Sequence, residues 1–195
     1  MRQQKEVIMK IKKIVDLIKK RGVLIIYEDA DGAQLLSDGQ AIYPVVDMPS
    51  LDAVLFCSMY DITDKQTNKM VIQDCIPLPE HLDFSDCVEN EKPVKECFIN
   101  IETSNRILVP YETSQGIAFI DKKYLAPFSD MDEQMLCICE RYTSAGQLYF
   151  AVKNGMLLVG IIYPYKCIDE HFVEDINLLA KGCTIALQNV KEEEV

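Results

Sequence analysis

Four side chains in the second half of the sequence could bind a metal ion: Cys137, Cys139, Cys167 and His171. Thiolate sulphur and imidazole nitrogen are the ligands that tetrahedral zinc prefers. Cys137 and Cys139 are two residues apart, so on a β-strand their side chains lie on the same face and could share one ion. The spacing to Cys167 and His171 matches no compact zinc motif, and packing in a core accounts for free thiols equally well. We therefore predict no metal site and retain these four residues as the candidates for one.

The sequence offers little for acid-base or nucleophilic catalysis. Only His81 and His171 could act as a base near neutral pH, and no Gly-x-Ser-x-Gly elbow or glycine-rich phosphate loop is present. The acidic run 28–32 lacks the remaining positions of a calcium loop and predicts a turn. Cys75, His81 and Cys87 form a second, less regular set of possible metal ligands. We expect a non-enzymatic protein without a cofactor.

Composition favours a folded protein with an uneven charge distribution. Of 195 residues, 49% are hydrophobic, and 20 Lys and Arg stand against 31 Asp and Glu for a net charge of -11. This excludes a disordered or fibrous chain. No apolar run approaches the roughly 20 residues of a membrane span, and no secretion signal is evident, so we expect a cytoplasmic protein with reduced cysteines. Residues 1–21 nevertheless carry eight basic and two acidic side chains.

The first third of the chain predicts one helix followed by three strands. Apolar residues recur at helical spacing over 5–20, and Gly22 is typical of a helix end. Asp38-Gly39 separates two short apolar runs, which indicates a two-residue hairpin. The predicted strands cover 23–29, 33–37 and 40–46.

A similar order recurs later in the chain. A short helical segment around 121–131 precedes three apolar runs, and Asn154-Gly155 predicts a hairpin between the last two. Segments 5–46 and 121–166 thus form a weak internal repeat of a helix and three strands. We predict an α+β fold with antiparallel sheets, helices on one face, a duplicated helix-plus-strands unit and a C-terminal helix within 168–190.

Composition also suggests boundaries along the chain. Residues 78–96 are rich in proline and acidic side chains, which is typical of a connector. The predicted organisation is a first helix-plus-strands unit, a linker, a second unit, and a C-terminal helix with an acidic tail, although all of these could form one compact domain. Their ranges are 1–77, 78–96, 97–166 and 167–195.

Two stretches resemble the DNA polymerase sliding clamps of bacteria. Residues 122–166 have a Lys-Tyr-Leu helix start, three strands and a final apolar-Pro-x-basic signature at Tyr163-Pro164-Tyr165-Lys166, as in the last part of a clamp subunit. Residues 13–51 resemble the helix and strands that close an earlier clamp domain. The chain is shorter than a three-domain clamp subunit and continues about thirty residues beyond the resemblance.

The resemblance implies a role for the basic helices. Clamps are acidic overall, and the basic side chains of their helices face the hole through which DNA passes. Such contacts would reach double-stranded DNA through its phosphates without reading its sequence, in a possible homo-oligomer. A solvated helix face is the alternative. The lysines implicated are Lys5, Lys12, Lys13, Lys20, Lys122 and Lys123.

The resemblance also implies protein partners that bind through short peptide motifs. In clamps, an apolar groove built partly by the final proline-containing segment takes these peptides. The matching positions here are Ile162, Tyr163, Pro164 and Tyr165. The alternative is that this segment is the inward-facing end of a strand.

Two principal classes of function follow. The first is a non-catalytic, clamp-like DNA-metabolism or processivity factor that binds partner peptides and DNA backbone. The second is an acidic protein-interaction module or nucleic-acid mimic that occupies a basic site on a partner; a zinc-binding protein is the third. A basic face on a curved oligomer favours the first class, and a continuous acidic face with the N-terminal lysines scattered favours the second.

Overall fold

The computed structural model describes residues 11–45, 49–89, 91–165, 178 and 181–182. The chain divides into two units, Met1–Tyr165 and Lys166–Val195. Lys5, Cys167, His171 and most of the predicted C-terminal helix lie outside the described residues. None of the helices in the described ranges is long and apolar enough to cross a membrane.

The first unit contains three α-helices, one 3-10 helix and twelve strands among its described residues. The α-helices are α1 (Ile11–Arg21), α2 (Ala53–Met59) and α3 (Asp64–Thr67), and the 3-10 helix is Lys122–Phe128. The strands are β1 (Val23–Glu28), β2 (Gln34–Ser37), β3 (Ala41–Val45), β4 (Val71–Pro77), β5 (Lys92–Pro93), β6 (Lys95–Glu96), β7 (Ile101–Thr103), β8 (Arg106–Thr113), β9 (Gly116–Asp121), β10 (Leu136–Tyr142), β11 (Leu148–Asn154) and β12 (Leu157–Ile162).

Helix α1 follows directly from its sequence pattern. Ile14, Val15 and Ile18 are buried on one face, as their spacing predicts. The helix ends at Gly22, whose φ of +69° lies in the left-handed region that glycine adopts without steric cost. The Gly22 N–H donates to the Ile18 carbonyl at 2.8 Å. The predicted helix end is therefore confirmed.

The larger sheet has eight strands in the order β4-β1-β2-β3-β12-β11-β10-β5. Both predicted hairpins are confirmed, because β2 pairs with β3 and β11 with β12 in antiparallel register. The two three-strand groups meet at the centre, where Ile42 of β3 faces Ile161 of β12. The pairing of β1 with β4 is parallel. The predicted α+β class with antiparallel sheets is confirmed.

Helices from both repeated segments lie on one face of this sheet. Ile18 of α1 and Phe128 of the 3-10 helix belong to the same buried cluster as Tyr43 of β3. The Tyr43 hydroxyl also donates to the Tyr124 carbonyl at 3.1 Å, which fixes the 3-10 helix on the sheet. Pro127 within this second helix has no N–H to donate, so the segment is a short 3-10 turn rather than a second long α-helix.

A smaller sheet of four strands flanks the helices. Its core strand, β8, pairs with β6 and β7 along one side and with β9 along the other. Leu108 near the start of β8 lies opposite Asp121 at the end of β9. This register brings Arg106, the first residue of β8, to the end of the sheet where the 3-10 helix begins.

The part of segment 78–96 around Leu82 packs on the opposite face of the larger sheet, whereas Lys95–Glu96 pairs with β8 in the smaller sheet. Leu82 is buried there against Tyr149 and Ile161, and residues 92–93 pair with β10. Glu91 of this segment contacts both Arg141 and Lys153, which project from neighbouring strands. The acidic, proline-containing composition that suggests a connector thus coincides with a segment held by buried apolar and ionic contacts.

Candidate functional site

The exposed side of α1 carries a row of cations. Lys12, Lys13 and Lys20 are exposed, whereas the opposite side of the helix is buried in the core. Five of the eleven residues of α1 are basic and only Asp16 is acidic. Because the whole chain has a net charge of -11, this concentration of positive charge is local.

The 3-10 helix adds two cations near Lys20, at the C-terminal end of α1. Lys122 is exposed, and Lys123 lies over the Tyr124 ring, with its Nζ 4.8 Å from the ring centroid. Asp121 caps the start of this helix, and its carboxylate lies 3.1 Å from Lys123 Nζ. Since α1 packs against the 3-10 helix, Lys20 lies near Lys122 and Lys123, which are about one hundred residues further along the chain. We call the exposed surface formed by Lys12, Lys13, Lys20, Lys122 and Lys123 the basic helix face.

A cavity of about 400 Å³ opens at one end of the basic helix face. It lies between the C-terminal end of α1, the β2–β3 hairpin, the start of β8 and the 3-10 helix. A second cavity of about 470 Å³ shares four of its lining residues. The shared residues are Lys20, Arg106, Asp121 and Lys123.

Arg106 is the residue of this site that sequence reasoning missed. Its guanidinium carbon lies 4.7 Å from the centroid of the Tyr165 ring, a cation-π arrangement. Within the described residues, its side chain has no carboxylate partner. Arg106 is the first residue of β8, and nothing in the neighbouring sequence predicts a binding role for it. Its place in the site follows only from the position of the smaller sheet beside α1.

A buried carboxylate organises the wall of the first cavity. Asp38 is only 1% exposed, and its two oxygens accept hydrogen bonds from the Tyr124 hydroxyl at 3.0 Å and from the backbone N–H groups of Gln40 and Ala41. Arg21 Nη1 donates to the same Tyr124 hydroxyl at 3.2 Å. Burial, with the Asp38 carboxylate adding to it, raises the pKa of Tyr124, so the hydroxyl remains a donor. This chain of contacts orients Arg21 at the cavity.

The predicted peptide-groove residues differ in their burial. Ile162 is fully buried in the core, so it supports the strand end from beneath. Tyr163, Pro164 and Tyr165 are half-buried. Gln40 holds this segment, because its Nε2 donates to the Tyr163 carbonyl at 2.8 Å and its backbone carbonyl accepts from Tyr163 N–H.

The Tyr165 side chain faces the cationic site, whereas the Tyr163 side chain packs with Leu82 and Tyr149 on the opposite face of the larger sheet. Tyr163 and Tyr165 both line the first cavity together with Lys20 and Lys123. Tyr165 N–H also donates to the Phe119 carbonyl at 2.7 Å, which ties the segment to the edge of the smaller sheet. Two sets of residues that the sequence predicts as separate sites therefore meet at one place.

The candidate metal ligands are only partly described. The sulphur atoms of Cys137 and Cys139 lie 3.7 Å apart on one face of β10, as the strand spacing predicts. Burial is the main cause that raises the pKa of Cys139 to about 12. Cys75 and Cys87 are exposed, and His81 Nε2 lies 3.5 Å from the Tyr163 hydroxyl. Across the described ranges, no group of three or more potential metal ligands comes together.

Comparisons with known proteins add no relative. No protein-family model matches the chain, and neither curated proteins nor solved structures include a match.

Proposed function

We propose that this protein is a non-catalytic, clamp-like DNA-binding factor whose basic helix face contacts the phosphate backbone. The observation that carries the proposal is that the exposed lysines of α1 meet Lys122 and Lys123 at Lys20, in a strongly acidic chain. An acidic body repels a polyanion wherever positive charge is not concentrated. The charge distribution therefore orients DNA toward the helices.

The chemistry of the basic helix face suits backbone contact rather than sequence readout. Lysine is a flexible point charge that pairs with phosphate oxygens without demanding one geometry. Lys12, Lys13 and Lys20 project from the exposed side of a helix that is anchored on its other side, so they can follow a phosphate row. Binding of this kind releases counterions and weakens steeply as salt rises.

The topology supports the clamp-like part of the proposal. The strand order places β1-β2-β3 and β12-β11-β10 on either side of a central antiparallel pair, with a helix from each segment on the same face. The resemblance to bacterial sliding clamps implies this placement of paired helices. Enclosing a duplex would require several copies of so short a chain, and a homo-oligomer is part of the proposal.

Partner binding is the other part of the proposal. Tyr163, Pro164 and Tyr165 supply half-buried apolar surface at the end of β12, and such surface suits an anchor residue of a short peptide. Replacing Pro164 and Tyr165 together with alanine should weaken capture of a partner peptide. Undiminished capture would place the groove elsewhere.

The test is duplex binding measured by fluorescence anisotropy over a range of salt concentrations. The triple variant Lys12→Gln, Lys13→Gln, Lys20→Gln should bind more weakly, and the slope of log affinity against log salt should fall by about one for each lysine that no longer neutralises a phosphate. Because these side chains are exposed, the variant should fold normally, as a thermal melt can verify.

A matched control removes the same charge elsewhere. Lys65, Lys92 and Lys95 are exposed and lie outside α1 and the 3-10 helix. Their triple glutamine variant should keep both the affinity and the salt slope close to those of the unmodified protein. If the two triple variants bind equally, the basic helix face is not the DNA-binding surface, and the acidic interaction module takes its place.

A further inference from the structure

We propose that the cavity beside Arg106 is a binding site for a phosphate monoester, the group found at a phosphorylated nucleic-acid end and on a free nucleotide. This site shares Lys20 and Lys123 with the basic helix face but adds Arg21 and Arg106, and the proposal goes beyond backbone contact. The cavity of about 400 Å³ is large enough for the phosphate and part of the group that bears it.

Cations without an ion-pair partner among the described residues converge on this cavity. Lys20 and Arg106 line it, and within the described part of the chain neither has an ion-pair partner. Arg21 also lines it, held through one nitrogen by Gln40 and Tyr124. Like charges placed together in a concave site repel one another, and a bound anion relieves that repulsion.

The two carboxylates in the wall leave the cavity with a net positive charge, since four cationic side chains line it with them. Asp121 is paired with Lys123, so that pair is close to neutral. Asp38 is 1% exposed and directs its oxygens at Tyr124 and at backbone N–H groups, away from solvent. The side chains left to meet a ligand are therefore Lys20, Arg21 and Arg106.

Arg106 is oriented for an oxyanion. Its guanidinium stacks on Tyr165, whose backbone is fixed to Phe119 at 2.7 Å. Stacking restrains the planar group while its N–H edges stay available, and this fork matches two oxygens of one phosphate. Less conformational entropy is lost when a restrained arginine binds.

The shape of the site favours a chain end over a continuous backbone. Walls come from α1, the β2–β3 hairpin, the start of β8, the 3-10 helix and the segment 163–165. A phosphodiester inside a strand continues in two directions, whereas a monoester has one substituent and can enter a walled cavity. The monoester also carries a charge of about -1.5 to -2 near neutral pH, which suits several cations better than the single charge of a diester.

The experiment compares two duplexes of identical sequence, one with phosphorylated ends and one with hydroxyl ends. The unmodified protein should bind the phosphorylated duplex on the order of tenfold more tightly, as expected for a few charge-assisted hydrogen bonds. Arg106→Gln should reduce this ratio to about one, whatever its effect on the affinity for the hydroxyl-ended duplex. Equal affinity of the unmodified protein for both duplexes and no binding of adenosine monophosphate would overturn the proposal.

Two further variants keep the result interpretable. Arg106→Lys retains the positive charge but lacks the planar fork, so it should lose most of the ratio even if Arg106→Gln is unstable. Lys12→Gln with Lys13→Gln should lower affinity for both duplexes equally and leave their ratio unchanged. Failure of the backbone proposal would thus appear in the absolute affinities, and failure of the cavity proposal in the ratio. A ratio that survives both Arg106 variants would also overturn the cavity proposal.

Small probes distinguish the two sources of the phosphate. Adenosine monophosphate should bind and adenosine should not, as measured by calorimetry, if the cavity accepts a free nucleotide. A phosphorylated-end preference that adenosine monophosphate does not compete away identifies the nucleic-acid end as the source. Either result supports a monoester site, provided that Arg106→Gln abolishes the binding observed.

Discussion

Replacing Glu91 with glutamine should destabilise the protein by about 3 kcal/mol, because it leaves two buried cations without a counter-charge. Glu91 lies in segment 78–96 and contacts Arg141 and Lys153 on the sheet. The side chain of Arg141 is 1% exposed and that of Lys153 is 10% exposed, so water cannot readily replace the missing carboxylate.

The magnitude follows from the asymmetry of buried ion pairs. Removing one partner of such a pair typically costs about 3 to 5 kcal/mol, since the remaining charge stays desolvated. Glutamine keeps one oxygen that can still accept a hydrogen bond from Arg141, which places the destabilisation near the lower bound. Against a total stability of about 5 to 15 kcal/mol, the effect is large.

Urea denaturation followed by far-ultraviolet circular dichroism measures this destabilisation. With a slope of about 2 kcal/mol per molar urea, the midpoint should fall by about 1.5 M. Glu89→Gln is the matched control. Glu89 is exposed, and its replacement makes the same change of charge in the same segment. It should change stability by no more than about 0.5 kcal/mol. A destabilisation below about 1 kcal/mol for Glu91→Gln would refute the role assigned to the ionic contacts.

The same contacts predict a pH dependence. Burial by itself would raise the pKa of Glu91, but hydrogen bonds from Lys153 and Arg141 and their positive charges together lower it below its ordinary value of 4.5. The folded state therefore binds this proton less readily than the unfolded state, and the stabilisation is complete above about pH 4.5 and is lost as pH falls through the folded pKa. Denaturation midpoints of Glu91→Gln should consequently fall less steeply with acidification than those of the unmodified protein. Parallel acid profiles would contradict this sign.

The remaining predictions concern packing and thiol reactivity. Gly160→Ala should lower the free energy of unfolding by about 1 to 3 kcal/mol, because the added Cβ would lie 2.7 Å from Cζ of the buried Phe128 ring. A denaturation midpoint equal to that of the unmodified protein would contradict this, since it would show that the ring moves aside freely. Iodoacetamide at about pH 8 should label exposed Cys87 well before Cys139, whose burial raises its pKa to about 12, and peptide mass spectrometry will show the order. Simultaneous labelling of both thiols would contradict the burial of Cys139.

Local sequence patterns were sufficient to predict where α1 ends and where the chain turns between β2 and β3. The helix end at Gly22 and the hairpin at Asp38-Gly39 depend on backbone conformations that few residues adopt, so short-range signals identify them. The repeat of a helix and three strands also follows from periodicity. These features explain why the α+β class could be predicted.

Contacts between distant segments could not be read in the same way. The pairing of Ile42 with Ile161 at the centre of the larger sheet joins residues that no local rule relates. Composition suggested a connector at 78–96. The contacts that hold this segment could not be predicted from it, because the partners of Glu91 lie about fifty and sixty residues further along the chain.

Only the part of the candidate site that lies on one helix could be predicted, because local spacing does not relate distant segments. Lysine spacing on α1 identified Lys12, Lys13 and Lys20 as one exposed group. The meeting of Lys20 with Tyr165 and Arg106 at one cavity depends on how the smaller sheet packs beside α1, which no sequence motif encodes. A cavity lined from five separate parts of the chain requires the tertiary structure.

Amide chemical-shift mapping during titration with a short duplex tests the central proposal most directly. We expect the largest shifts along α1 from Lys12 to Arg21 and at Lys122 and Lys123, with little change in α3 or β4. Raising the salt concentration should reverse these shifts together, since they report one electrostatic contact. Shifts that concentrate outside α1 and the 3-10 helix, or an absence of shifts at low salt, would contradict the assignment of the basic helix face as the DNA-binding surface.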